Sequence, residues 1–211
     1  MDRKDHPDTP FHLLFVCTGN TCRSPMAEVV ARKAAERRGL TQLEVRSAGV
    51  AAFPGMGAAG GAIRASRRRG LDLEGHRSRP LDPELVAWAD LVLTMSPSHL
   101  GGVVAAGGGD HAAVITNVQR VLPGPGDGSG DGPDPTGGVP DPFGGPDELY
   151  EVTMEELERL VDEVMDRIEA SLRMGGESGG ARNPGQGTEP GEGEGPSRSK
   201  GGESGEEGAS S

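Results

Sequence analysis

The stretch from His12 to Gly39 constrains the fold most, because three kinds of local order follow one another in it without a gap. His12-Leu-Leu-Phe-Val16 is a short apolar run, followed after Cys17 by the turn formers Thr18, Gly19 and Asn20, which is the pattern of a buried strand. Ser24-Pro25 then opens a helix, since Ser suits an N-cap and Pro the first helical position. From Met26 to Arg38 the apolar residues Met26, Val29, Val30 and Ala34 recur at helical spacing, and Gly39 stops the helix. A strand that enters a helix through so tight a loop belongs to an α/β chain.

The same alternation continues. Leu43 to Ser47 alternates as a strand that Ala48-Gly49 ends, and Ala58 to Arg69 predicts a weaker helix, damaged by Gly60-Gly61. Asp82 to Ala89 predicts a short helix with an Asp cap and Pro83 at its start. Asp90 to Met95 predicts a strand, Ser96-Pro97 the cap of a helix that fades in Gly107 to Gly109, and Ala113 to Thr116 a further strand. Pro123 to Gly138 reads as a long loop. Asp147 to Leu172 is amphipathic, with Leu149, Val152, Leu157, Leu160, Val161, Val164 and Ile168 placed on one side. Strands alternating with helices predict a three-layer α/β fold: a parallel, twisted sheet of about four strands with helices on both faces. Ligands of such sheets bind at the carboxyl ends of the strands, and the first strand ends at Cys17.

Composition sets the limits of the folded part. After Met174 the chain has no Val, Ile, Leu, Met or aromatic residue. Such a segment cannot bury enough apolar surface to offset its ordering entropy, so residues 174–211 read as a disordered tail and 1–10 as a flexible N-terminus. The folded domain is expected at residues 11–173. The net charge of −12 argues against a nucleic-acid partner. No apolar run approaches a transmembrane length and the first ten residues lack a signal-peptide core, which predicts a cytoplasmic, non-membrane protein. The two cysteines, Cys17 and Cys22, form no disulfide framework, and a monomer is expected. His6, His12, His76, His99 and His111 show no metal-ligand spacing.

Cys17-Thr-Gly-Asn-Thr-Cys-Arg23-Ser24 is C-x5-R-S, set between the predicted strand and helix. Bare C-x5-R would occur by chance in roughly one such chain in ten, so the context carries the weight. A loop of this length can turn its backbone N–H groups inward as an anion nest over Thr18, Gly19, Asn20, Thr21 and Cys22, and the helix adds the positive end of its dipole. Arg23 offers a planar fork that matches two phosphoryl oxygens. The same positive field favours a nucleophilic thiolate at Cys17, to which Ser24 can donate a hydrogen bond. Gly19 and Asn20 tolerate the left-handed backbone a nest needs. Phosphoryl transfer to sulfur also needs a proton donor for the leaving group, and Asp141 and Asp134, each followed by Pro, both fit. A thiolate mechanism needs no metal or other cofactor.

Phe15 to Glu28, then Arg46-Ser-Ala-Gly49, then Asp141-Pro-Phe-Gly-Gly, resembles the low-molecular-weight protein tyrosine phosphatase family over about residues 11–172. The resemblance implies Cys17 as nucleophile, Arg23 as phosphate ligand, and Asp141 rather than Asp134 as general acid. It implies that Ser47 and His76 support the loop through Asn20, and that Cys17 and Cys22 can form a reversible disulfide under oxidant. Within the family the chain resembles the bacterial protein-arginine-phosphatase branch, because Thr21 stands where tyrosine-directed members usually carry Ile. An aliphatic wall would leave guanidinium N–H groups unpaired, whereas a Thr hydroxyl or a water beside it satisfies one. Phe143-Gly144 replaces the two aromatics that often grip a phenyl ring, so Thr21 and Phe143 are the expected specificity residues. The implied activity is hydrolysis of phosphoarginine in phosphorylated proteins, with phosphotyrosine as the alternative. Arsenate reductases share the fold and cysteine loop but pass electrons through further cysteines, and none follows Cys22.

Overall fold

Seven residues form the first strand, β1 (Phe11–Cys17), and it lies inside the sheet, so both of its faces must be apolar. Phe11, Leu13 and Phe15 point to one face, and Leu14 and Val16 to the other. The computed structural model describes residues 9–122 and 137–177, the last four by their backbone alone. The expectations for residues 1–8, for most of the 123–138 loop and for the tail beyond 177 lie outside the described residues.

After β1 come α1 (Arg23–Arg38), β2 (Leu43–Gly49), α2 (Gly60–Arg68), α3 (Pro83–Trp88), β3 (Leu91–Thr94), α4 (Pro97–Ala105), β4 (Ala112–Val114) and α5 (Asp147–Glu177). A 3-10 turn at Gly109–His111 and a kinked 3-10 segment at Ile115–Arg120 flank β4. The sheet is four-stranded and parallel in the order β2-β1-β3-β4, with Phe15 opposite Ser47 on one side and Leu93 on the other. The chain therefore leaves β1 in one direction to reach β2 and in the other to reach β3, and the crevice between these two connections opens at Cys17. One face packs against α1, α2 and α5 through Met26, Ala31, Ala62, Met154, Leu157, Val161 and Val164. The other packs against α3 and α4 through Leu85 and Val103. Fully buried side chains such as Leu13 and Phe15 each resist truncation to Ala by about 2–5 kcal/mol. The three-layer parallel fold read from the sequence is the fold found.

Helix boundaries follow local chemistry, with three corrections. Asp82 caps α3 as expected, its Oδ1 accepting from Leu85 N at 2.7 Å, and Gly39 closes α1 at φ 67° with its N–H directed at the carbonyls of Ala35 and Glu36. Ser24, however, is not the cap of α1: the helix begins at Arg23, Cys22 occupies the cap position, and no side chain satisfies the first N–H groups. Gly60 and Gly61 do not damage α2 but start it, where Gly61 gives Tyr150 a seat; a Cβ there would lie 2.4 Å from the Tyr150 ring. Finally, Leu149 and Val152 are about half exposed, because the inward stripe of α5 runs through Tyr150, Thr153, Met154 and Leu157, one residue out of phase with them. The outward side of α5 binds the arginines of its neighbours: Arg38 pairs with Asp162, Asp166 and Glu169, and Arg64 with Asp147.

Candidate active site

Residues 17–24 wrap around the side chain of Asn20. This residue is fully buried and takes the left-handed conformation at φ 54°, whereas Gly19, expected to share it, does not. Its Nδ2 donates to Ser24 Oγ at 2.9 Å and to Ser47 Oγ at 2.8 Å, and its Oδ1 accepts from Arg79 N at 2.9 Å. Its carbonyl lies 2.7 Å from His76 Nε2. Beneath this network, Ser47 Oγ donates to Glu28 Oε2 at 2.5 Å, and the buried Glu28 is paired with Arg32. The end of β2 locks the loop from the side: Val50 N and Ala51 N donate to the carbonyls of Cys17 and Thr18, both at 2.9 Å. Gly49 makes that approach possible, since a Cβ there would fall 2.5 Å from the Thr18 carbonyl oxygen.

The sulfur of Cys17 lies at the centre of this loop. Asn20 N donates to it at 3.3 Å and Ser24 Oγ stands 3.0 Å away. That hydroxyl, read from the sequence both as a helix cap and as a partner of the thiolate, lies beside the sulfur and also donates to the Ala48 carbonyl at 3.2 Å. A thiolate here would have the Asn20 N–H aimed at it and the Ser24 hydroxyl beside it, an arrangement compatible with a nucleophilic cysteine. Arg23, nearly buried, sends Nη1 to the Val139 carbonyl at 3.2 Å and Nη2 to Asp141 Oδ2 at 2.5 Å. Asp141 belongs to the segment before α5, which is fastened to the end of β3 by Val139 N donating to the Met95 carbonyl at 2.8 Å. Cys17, Thr18, Gly19, Thr21, Cys22, Arg23, Asp141 and Phe143 line one cavity of about 180 Å³.

These are the sequence-predicted site residues brought together, with Ser24, Ser47 and His76 behind the loop. Asp134 falls outside the described residues. Three features escaped the sequence reading. His99 reaches the loop, its Nε2 2.9 Å from Thr18 Oγ1. Its ring is held below the usual histidine range, first by burial and then by the charge of Arg23, with Asp141 opposing. Glu28 underlies Ser47, and its signal was a lone acidic residue on the helical face that otherwise packs inward. Tyr150 stands 3.8 Å from Cys22 Sγ. Burial pushes the Cys22 thiol up, and it also pushes the Tyr150 hydroxyl, to about 12.

Residues 12–174 match the family described as low molecular weight phosphotyrosine protein phosphatase. The chain belongs to that family. Among curated members of this phosphatase family it is similar to the protein-arginine-phosphatase of Bacillus subtilis, 39% identical over 161 residues that cover 76% of this chain and 99% of the relative. It is also similar to a probable low molecular weight protein-tyrosine-phosphatase, EpsP, of Ralstonia nicotianae, 30% identical over 75% of this chain and 96% of the relative. Among solved structures, the YwlE arginine phosphatase from Geobacillus stearothermophilus superposes with a TM-score of 0.62 at 33% identity, covering 82% of this chain and all of that one. A YwlE arginine phosphatase mutant with a phosphorylated active-site serine gives a TM-score of 0.65 at 36% identity, covering 78% and 99%. This low molecular weight phosphatase is thus a protein phosphatase, a hydrolase that acts on phosphorylated proteins.

Proposed function

We propose that the protein hydrolyses phosphoarginine in proteins, with Cys17 as nucleophile, Arg23 as phosphate ligand and Asp141 as general acid and base. The observation that carries the arginine reading is Thr21 in the wall of the cavity that holds Cys17 and Asp141. A guanidinium brings N–H donors into a small cavity, where a donor facing a hydrocarbon wall loses its partner at a cost of about 1–3 kcal/mol. The Thr21 hydroxyl supplies an acceptor, and the Asp141 carboxyl supplies another. Similarity to two protein-arginine-phosphatases, of Bacillus subtilis and of Geobacillus stearothermophilus, supports the same substrate.

The reaction then runs as two displacements. The phosphoryl oxygens take the Arg23 fork and the loop N–H groups, and Asp141 gives up its contact with Arg23, takes a proton from solvent and turns to the leaving nitrogen. The Cys17 thiolate attacks phosphorus, an S–P bond forms, the P–N bond breaks, and the protonated Asp141 gives its proton to the departing nitrogen. In the second step the Asp141 carboxylate takes a proton from water, whose oxygen attacks phosphorus. The S–P bond breaks, and the returning thiolate receives the Ser24 hydrogen bond.

The second reading is phosphotyrosine hydrolysis by the same steps. It draws on Phe143, which is 75% exposed at the cavity rim and offers a face to a phenol ring. Turnover of a phosphoarginine protein and of a phosphotyrosine peptide by wild type and by Thr21→Ile separates the two. Preference of wild type for phosphoarginine, shifted toward phosphotyrosine by Thr21→Ile, supports the arginine reading. Preference of wild type for phosphotyrosine overturns it.

A further inference from the structure

His99 is 3% exposed and sits in the first turn of α4, on a different element from every residue assigned a role above. Both ring nitrogens are engaged by hydroxyls: Nε2 lies 2.9 Å from Thr18 Oγ1, and Nδ1 lies 3.0 Å from Ser96 Oγ. Ser96 precedes α4 yet caps no helix N–H with its side chain; the oxygen that would do so lies against the His99 ring and Ser98. Local helix chemistry has thus been given up to hold an imidazole. Thr18, in turn, is the residue bonded directly to the nucleophile, and its carbonyl is already fixed by Ala51 N. His99 secures the other end of the same residue.

The end of β3 ties this contact to the rest of the site. Met95 and Ser96 are where the segment carrying Asp141 is attached: Val139 N donates to the Met95 carbonyl, and a Cβ on Gly138 would fall 2.7 Å from that oxygen and 2.9 Å from Ser96 Cα. One short stretch of chain, 95–99, therefore touches the phosphate loop through His99 and the Asp141 segment through Met95.

We propose that His99 is a positioning residue for catalysis, which fixes the Thr18 hydroxyl and through it the register of the Cys17 loop against the Asp141 segment. The ring does not touch the reacting atoms. Its work is to keep Cys17, the loop N–H groups and the carboxyl at the separation that in-line attack needs, where small misplacements are costly in rate. A hydrophobic side chain of equal volume could fill the site but could not hold Thr18.

The inference rests on Cys17 as nucleophile, so p-nitrophenyl phosphate turnover by wild type and Cys17→Ser comes first. An inactive wild type, or an active Cys17→Ser, overturns that reading and this one with it. Given an active wild type, His99→Phe keeps the volume and removes both hydrogen bonds. It is expected to lower kcat about tenfold, with KM changed less than about twofold, the scale of one lost positioning hydrogen bond. His99→Gln places an amide nitrogen near the Nε2 position and should restore kcat to within about threefold of wild type. His99→Asn reproduces only the Ser96 side and should behave like His99→Phe. In a Thr18→Val background, His99→Phe should have no further effect. Wild-type kcat in a folded His99→Phe, failure of Gln to rescue better than Asn, or fully multiplicative losses in the double variant would each overturn the proposal. If His99→Phe fails to fold, the Gln and Asn comparison decides alone.

Discussion

Asn20, buried behind the cavity, and Asp141, in its wall, are held in different ways. Asn20 is fully buried, and its side chain and carbonyl are engaged by Ser24, Ser47, His76 and Arg79, four residues drawn from widely separated parts of the chain. The Asp141 side chain is 49% exposed, with Arg23 as its charged partner and the Phe143 N–H donating to it from its own turn. The difference matches what each side must do. A loop that binds a phosphoryl group gains by having its donors aimed beforehand, because nothing then reorganises when charge develops. A carboxyl that must accommodate a leaving group attached to a whole protein gains by standing at an open rim. On the proposed mechanism, the buried half sets the reaction and the open half meets the substrate.

Asp141→Ala should separate these halves most sharply. It is expected to lower kcat about 100- to 1000-fold, most for poor leaving groups, while Tm stays within a degree or two of wild type. A comparable loss of Tm would place Asp141 with the buried scaffold. Asn20→Ala comes next, and there both quantities should fall together. It leaves the Ser24, Ser47 and Arg79 groups without their partner and puts a residue with a Cβ and no polar side chain at φ 54°. Stability should drop by about 2–4 kcal/mol in denaturant unfolding, and kcat by about 10- to 100-fold. An unchanged unfolding midpoint would show that the network is not structural. The smallest effect is expected for Phe143→Ala, which should raise KM for aryl phosphates about threefold and leave kcat nearly untouched, as measured with p-nitrophenyl phosphate. A large fall in kcat would mean that the rim takes part in the chemical step.

The same division governs what could be read from the amino-acid order. Most of what is local to the phosphate loop was legible: a strand ending at Cys17, five residues, Arg23, and a helix. So were the parallel sheet and its two helical layers, because β1 and β3 contain the apolar runs Leu13 to Cys17 and Leu91 to Leu93 and the connections have helical periods. What failed was the assignment of single polar side chains that could serve two masters. Ser24 satisfies every sequence criterion for a cap, yet of the two roles read for it only the one beside the sulfur is found. Gly60-Gly61 looks like a helix breaker until the Tyr150 ring is seen to need the space. His99 lies 81 positions from Thr18, and no spacing rule links the two; only the arrival of β3 beside β1 brings them together. Leu149 and Val152 were misplaced because a long helix offers several apolar phases, and the anchor that selects one is the aromatic residue between them.

The contact between Arg23 and Asp141 bears on the last event of the proposed cycle. Inorganic phosphate left in the loop after hydrolysis would occupy the guanidinium that this carboxylate otherwise takes, so the side chain beside the reaction also competes with its product. On the proposed mechanism expulsion needs no separate opening motion: the aspartate passes its proton to solvent and returns to the arginine as the anion leaves, and it takes a proton up again when the next substrate displaces it. Such an enzyme should clear its product readily and tolerate phosphate concentrations that would clog a loop whose arginine had no internal rival.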